Sequence, residues 1–319
     1  SKHGDKLGEL AEKNKVNLEF EASVAGGIPI VRTIKEGLAT NKITKVYGIL
    51  NGTCNYIMSE MERTKDSFKN VLKMAQKLGY AEPGNPKLDL NGYDALAKIK
   101  ILTSLAFNKK ISKSECLMEG IENIDYADIK IADQLDFRIK LLGITEIINN
   151  SIFERVHPCL VKKDSYIGNV DGVMNAVILN GSPIGESVLQ GEGAGPGPTS
   201  SALMSDLLSI LRGNIKFPFG LPNNARENAR IYDDKNYENS LYLRFEVNDK
   251  PGVLSQITKH LAKYKISIQR LIQIPDNTKK KASIIIITHS VKENNSKKCL
   301  RSINSIKNII KKPVLIRLF

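Results

Sequence analysis

Apolar positions along this chain recur with two different periods, and the switches between them outline its elements. Helical spacing predicts helices over Gly4–Lys15, Ile30–Thr40, Asn55–Thr64, Ser67–Leu78 and Tyr93–Ala106. Asn41 is a natural stop for the second of these, and Gly79 closes the fourth. Two-residue alternation over Val16–Val24 predicts a strand, broken by Gly26-Gly27-Ile28-Pro29. Val46–Leu50 reads as a short strand ending at the turn signal Asn51-Gly52. Strand patterns then dominate at Arg138–Asn149, Ser151–Leu160 and Asn175–Leu179. The Gly/Pro-rich run Gly191–Thr199 leads into a helix at Ser200–Arg212.

Beyond a polar stretch at Asn223–Asn239 the pattern is regular: strand Leu241–Asn248, helix Pro251–Tyr264, strand Ile266–Ile274, strand Ala282–Ser290, helix Ser296–Ile310 and strand Val314–Leu318. That βαββαβ order predicts a ferredoxin-like block. The chain is therefore α+β, with a first block of mixed sheet and helices and a smaller second block. Its 319 residues suit two domains at roughly 100–200 residues each.

Composition narrows the function. The net charge of +13 raises the question of nucleic acid, but the lysines are scattered, as at Lys279–Lys281 and Lys311–Lys312. Trp is absent and aromatics are few, so stacking platforms are poorly supplied. A solvated lysine-biased surface explains the charge better, and no nucleic-acid partner is expected. The longest aliphatic run, Ile284–Ile287, is far short of the ~20 residues a membrane span needs. Cys54, Cys116, Cys159 and Cys299 have neither CxxC pairing nor metal-type clustering with His, which suits reduced thiols in a cytoplasmic protein. Ser1–Lys15 has no apolar core of the kind a signal peptide carries.

The densest polar group is Glu82-Pro83-Gly84-Asn85-Pro86-Lys87-Leu88-Asp89-Leu90-Asn91-Gly92-Tyr93-Asp94, followed by Lys98. Asp94 and Lys98, four apart, share a helix face. They read equally as a surface ion pair or as a lysine tuned by carboxylates for proton transfer. Asn51-Gly52-Thr53-Cys54-Asn55 is either an ordinary helix cap or a polar turn aimed at a ligand. Gly191–Thr199 is either a flexible turn or a source of backbone N–H groups for an anion. His157 has no nearby ligand partner and reads as structural.

Together these segments resemble the homoserine dehydrogenase family. The resemblance is carried by Ala75, Gly79-Tyr80-Ala81, Asn85-Pro86, Asp89-Leu90, Gly92, Asp94 and Lys98 at fixed steps. It is extended by Glu21–Pro29, Asn51–Ile57, Val156-His157-Pro158, Gly193-Ala194-Gly195 and Pro198-Thr199, so that it spans practically the whole chain. It implies an NAD(P)-dependent oxidoreductase that interconverts L-homoserine and L-aspartate 4-semialdehyde in threonine, methionine and isoleucine biosynthesis. In that reading Lys98 and Asp94 are catalytic. Glu82, Asp89, Gly52 and Thr53 bind substrate, and Gly195 lies against the cofactor. The resemblance further implies a sodium ion on backbone oxygens of Glu21, Val24, Gly26 and Ile28, donors that suit a hard cation.

The C-terminal block resembles an ACT domain, with Asp249, Gly252 and Val253 expected at an effector site and threonine as effector. The implied organisation is a remnant of a nucleotide-binding domain at 1–15, a catalytic domain at 16–222, a linker at 223–239 and the ACT domain at 240–319. A homodimer or homotetramer is expected. The resemblance also implies a Rossmann unit upstream of Ser1, without which turnover is not expected. The competing reading is a catalytically silent amino-acid-binding regulatory protein. The retained Glu82, Asp89, Asp94 and Lys98 speak against it, since a sensor has no use for them.

Overall fold

The structure is a computed structural model and describes residues 2–213, 217–276 and 280–319; Lys279 of the basic run lies outside them. The chain forms two compact units, residues 1–126, 140–157 and 163–232 in the first and residues 127–139, 158–162 and 233–319 in the second.

The first unit is built on a sheet of β1 (Lys42–Ile49), β2 (Phe137–Ile148), β3 (Ser151–Lys162), β4 (Met174–Ser182) and β5 (Gly185–Glu192), in the order β5-β4-β1-β2-β3. β1 runs antiparallel to both neighbours, with Val46 opposite Thr145 on one side and Leu179 on the other. The β2–β3 hairpin turns on Asn149 and Asn150, at φ 49° and 59°. Consecutive left-handed residues match the twist of the flanking strands, and asparagine tolerates that conformation well. Helices α1 (Gly4–Lys13), α2 (Gly52–Thr64), α3 (Phe68–Lys77), α4 (Tyr93–Phe107) and α6 (Pro196–Leu211) belong to this unit, and α5 (Tyr126–Gln134) begins at its boundary. α4 is apolar on most sides, burying Ala95, Ile99, Leu102 and Leu105. Gly143 lets it approach the sheet, because a Cβ there would stand 2.9 Å from Leu50 Cδ1 and 3.3 Å from Ile99 Cβ.

Several expected elements differ. Val16–Val24 is not a strand: no ladder partner lies beside it among the described residues, and it ends in a 3₁₀ turn at Glu21–Ser23. Its alternation serves packing instead, with Phe20 against Phe219 at 5.2 Å and Glu19 paired with Lys35 at 3.1 Å. The helix expected at Ile30–Thr40 is one α-turn, Ile30–Arg32, followed by a π-turn at Thr33–Gly37 in which the Leu38 N–H reaches back five residues to Thr33 O. α6 begins at Pro196 rather than Ser200, because Pro196 and Pro198 suit a first helical turn, where the N–H has no intrahelical partner. β5 and α5 were not expected from the pattern.

The second unit contains β6 (Leu241–Asn248), α7 (Val253–Lys263), β7 (Ile268–Asp276), β8 (Lys281–Thr288), α8 (Glu293–Ile303) and β9 (Val314–Leu318). The antiparallel order β9-β6-β8-β7 is the ferredoxin-like arrangement expected from the pattern. Leu243, Phe245, Val253, Ile257, Leu261, Ile284, Ile286 and Ile303 form its core. α8 stops at Ile303, not Ile310. The following residues leave the helix so that the Ile310 N–H can bond Glu246 O and Ile309 can bridge Val247.

Two fully buried ion pairs lie in this unit. Arg244 grips Asp128 with Nε to Oδ1 at 2.6 Å and Nη2 to Oδ2 at 2.9 Å, and the Tyr242 hydroxyl donates to Asp128 Oδ1 at 2.9 Å. Arg317 donates to Glu293 with Nε to Oε2 at 3.0 Å.

Candidate active site

The strand-to-helix corner after β1 organises the site. Asn51 is the N-cap of α2, and its Oδ1 accepts the Cys54 N–H at 2.9 Å. With that end pinned, its Nδ2 donates to Asp89 Oδ1 at 2.8 Å and to Asp94 Oδ2 at 2.9 Å. Asp94 opens α4 behind Gly92, whose φ of +83° only glycine adopts cheaply. One turn on, Lys98 Nζ donates to Asp94 Oδ2 at 2.7 Å and to Leu50 O at 2.9 Å. An ammonium has three protons, so one remains for a ligand. Asp94 and Lys98 are therefore neither a surface pair nor a sealed one; their side chains are 31% and 20% exposed.

Asp89 comes from a one-turn helix at Lys87–Leu90. Burial pushes its carboxyl above the usual aspartate range. The Asn51 hydrogen bond opposes that shift, while the nearby charges of Asp94 and Glu82 add to it. Cys54 is wholly buried and its thiol is pushed well up, first by burial and then by Asp89 and Asp94, so it stays protonated and donates to Asp89 O at 3.3 Å. Glu82 sits on the exposed loop with its backbone oxygen held by Gln76 Nε2 at 3.0 Å. Its carboxylate has no hydrogen bond among the described residues but is close enough to act on Asp89.

Gly52 and Thr53 form the first turn of α2. The Cys54 and Asn55 N–H groups are taken by Asn51, which leaves the Gly52 and Thr53 N–H groups without partners among the described residues. Two such donors at a helix start suit a carboxylate. The Thr53 hydroxyl faces away, donating to Tyr80 O at 2.7 Å.

Gly195 holds φ +114° as N-cap of α6. With Pro196 and Pro198 in the first turn, that helix offers far fewer N–H donors than a glycine-rich run would suggest. The turn instead packs closely: a Cβ on Gly193 would fall 2.1 Å from Asn175 Nδ2, and one on Gly26 would fall 2.5 Å from Gly193 O. Asn175 is 1% exposed, and neither its Oδ1 nor its Nδ2 has a partner among the described residues. An orphaned amide beside a glycine cradle fits a bound nucleotide's polar edge.

Around the expected sodium turn, Ala25 and Gly26 are both left-handed, at φ 54° and 47°. The Glu21 carboxylate is occupied by the Val31 and Arg32 N–H groups at 2.7 and 2.9 Å, and burial pushes its pKa up. No group of three or more His, Cys, Asp or Glu side chains that could hold a metal occurs among the described residues, so an ion here would depend on carbonyls. The Ile28 carbonyl already accepts the Ile30 N–H at 2.7 Å. In the second unit, Asp249, Gly252 and Val253 line one pocket of about 400 Å³ with Asn248, Lys250 and Gln273, and Asp249 Oδ1 accepts from Gln273 Nε2 at 3.3 Å. His157 is buried.

Residues 29–208 match the homoserine dehydrogenase family profile, and residues 241–308 match the ACT domain profile. The chain belongs to the homoserine dehydrogenase family. It is 41% identical to homoserine dehydrogenase of Neisseria gonorrhoeae, across 100% of this chain and 74% of that protein. It superposes on the crystal structure of a homoserine dehydrogenase from Thiobacillus denitrificans with TM-score 0.90 and 37% identity, over 100% of this chain and 74% of the other. A hyperthermophilic archaeal homoserine dehydrogenase mutant solved with NADPH is 25% identical, with TM-score 0.56 over 69% of this chain and 61% of the other. The chain is thus an oxidoreductase of amino-acid biosynthesis with an ACT domain. No described helix is long and apolar enough to cross a membrane.

Reading the motifs alone missed Asn175 as a candidate site residue and offered Asn51 only as part of a polar turn. Asn51 was legible as a cap, but its second role joins residues 38 and 43 positions away.

Proposed function

We propose that Lys98 is the proton-transferring group in an NAD(P)-linked interconversion of L-homoserine and L-aspartate 4-semialdehyde. The observation that carries this reading is the Asn51-centred array, in which one amide holds two carboxylates and one of these holds an amine with a proton to spare. In the reduction the Lys98 ammonium gives its spare proton to the aldehyde oxygen and becomes the neutral amine, and in the oxidation that neutral amine takes the hydroxyl proton. Asp94 fixes the ammonium and balances its charge. When bound, the dinucleotide accepts or supplies the hydride. The free Gly52 and Thr53 N–H groups receive the amino acid's carboxylate, while Glu82 and Asp89 face its ammonium. Asp89 lies closer in, and its raised pKa falls back once that cation arrives. Gly195 and its neighbours line the cofactor. The test is homoserine-dependent reduction of NAD⁺ or NADP⁺ by the chain joined to a nucleotide-binding domain of the kind the resemblance implies. Activity that survives in both Lys98→Ala and Asp94→Ala would overturn the assignment.

The consecutive left-handed residues Ala25 and Gly26 support a sodium ion on the carbonyls of Glu21, Val24, Gly26 and Ile28. An unchanged rate on replacing sodium by choline would remove it from the reading. The pocket at Asp249, Gly252 and Val253 supports an amino-acid effector, with threonine as the first to test by calorimetric titration against Asp249→Ala. The strand β7 has a neighbour on one side only, with Leu271 and Ile274 exposed, which supports a homodimer or homotetramer formed through a second copy. Sedimentation at micromolar concentration checks it.

A further inference from the structure

We propose that Asn175 recognises the carboxamide of the nicotinamide ring, an inference that rests on the NAD(P)-linked reading above. Three segments converge on this residue. Gly52, at the start of α2, has its missing Cβ 3.6 Å from Asn175 Oδ1, and Gly193 packs directly on the amide. Asn175 itself is fixed in β4, with its backbone opposite Gly191 of β5.

Its amide is buried, and both its donor and its acceptor are unmet. Each unmet buried group destabilises the fold, so a fold that keeps two at one side chain has a use for them. The missing partner must bring an acceptor and a donor together. A carboxylate brings acceptors only and leaves Oδ1 bare; an ammonium brings donors only and leaves Nδ2 bare. A primary carboxamide brings both in one plane.

Position agrees with chemistry. Gly52 follows Asn51, whose amide holds Asp94, the partner of Lys98, so Asn175 borders the site proposed for homoserine. The carboxamide sits on the ring carbon next to the one that exchanges hydride, so it must lie against that same site. The group now lying against the amide is a glycine, in a turn whose Gly195 already adopts φ +114°. A small shift of Gly193–Gly195, whose one side chain is the Ala194 methyl, opens the amide. Once paired, Asn175 fixes the ring's rotation about its glycosidic bond and so the face that meets the substrate.

The test is Asn175→Leu, which roughly keeps the volume and removes both polar atoms. In the ligand-free chain its Tm is expected to hold or rise, because no native bond is lost. In the enzyme, the KM for the dinucleotide is expected to rise about tenfold or more, as loss of a good hydrogen-bond pair implies, while the KM for homoserine changes little. The 3-acetylpyridine analogue, which replaces the carboxamide NH₂ by methyl, sharpens this. The wild type should prefer the natural dinucleotide by about tenfold, and Asn175→Leu should lose that preference. A preference that persists in the variant, a KM effect confined to homoserine, or a lowered Tm with both KM values unchanged would each overturn the proposal. A wild type that is joined to a nucleotide-binding domain of the kind the resemblance implies and still shows no homoserine-dependent reduction would instead overturn the parent reading, and is tested first.

Discussion

Asp94–Lys98 and Asp128–Arg244 join a carboxylate to a cation at nearly the same distance, 2.7 and 2.6 Å, yet they are opposite kinds of device. Asp128 is fully buried and receives two bonds from Arg244 and one from Tyr242. Arg244 Nη1 donates to Glu246 at 2.7 Å, so each nitrogen of the buried guanidinium is held by a carboxylate. Asp94 and Lys98 stay part-exposed, with one ammonium proton unspent and Asp94 tied through Asn51 to a second carboxylate that burial has already pushed up. A closed pair contributes to the fold alone, because burial keeps a ligand from reaching it. An open pair holds its geometry at some cost and leaves a valence for chemistry.

Substitutions separate the two. The largest effect is expected for Lys98→Ala, which should lower kcat by about a hundred- to ten-thousandfold while the folded chain unfolds at nearly its usual temperature. Asp128→Ala should do the reverse. It strands a buried guanidinium and a tyrosine hydroxyl, costing about 3–5 kcal/mol in denaturant unfolding. Replacing Asp128 and Arg244 together by leucine and methionine should recover most of that loss. If Asp128→Ala leaves unfolding unchanged, the contrast fails.

Asn51→Ala lies between them. Losing the cap should cost about 1 kcal/mol of stability, and loosening both carboxylates should lower kcat about ten- to a hundredfold. The Asn51 hydrogen bond is the strongest influence that lowers the Asp89 pKa against burial, ahead of the charge of Lys98. The acidic limb of the rate–pH profile should therefore move to higher pH in this variant, a shift that a purely structural cap would not produce.

The smallest effect is expected for Asp89→Asn. The folded chain keeps the Asp89 proton to a higher pH than the unfolded chain does. Stability is therefore lost as pH rises from the ordinary aspartate value through the raised one, and is not regained above it. The asparagine variant escapes that loss. Its Tm should match the wild type in strong acid and exceed it by about 1–3 °C near neutrality, although activity falls. A lower Tm at neutral pH would show that the Asp89 charge is already compensated.

The same contrast explains what could be read from residue order. Asp94 and Lys98 are four apart on one helix, so their meeting follows from the helical period alone. Asp128 and Arg244 are 116 positions apart, and no local pattern announces them. Val16–Val24 shows the converse error: its alternation is real, but a strand needs a neighbour, and the fold supplies Phe219 and Lys35 instead. β5 was missed because one face is exposed and polar, which leaves a weak apolar signal.

By itself the sequence determined the α+β class, the βαββαβ block, the family and the helix face shared by Asp94 and Lys98, because each depends on periodicity or on spacing within a few residues. Tertiary structure alone decided which polar groups are closed and which remain open. Asn51 reaches both carboxylates, Asp128 disappears beneath Arg244, and Asn175 is left bare under Gly193, because burial and hydrogen-bond satisfaction are properties of segments brought together from distant parts of the chain.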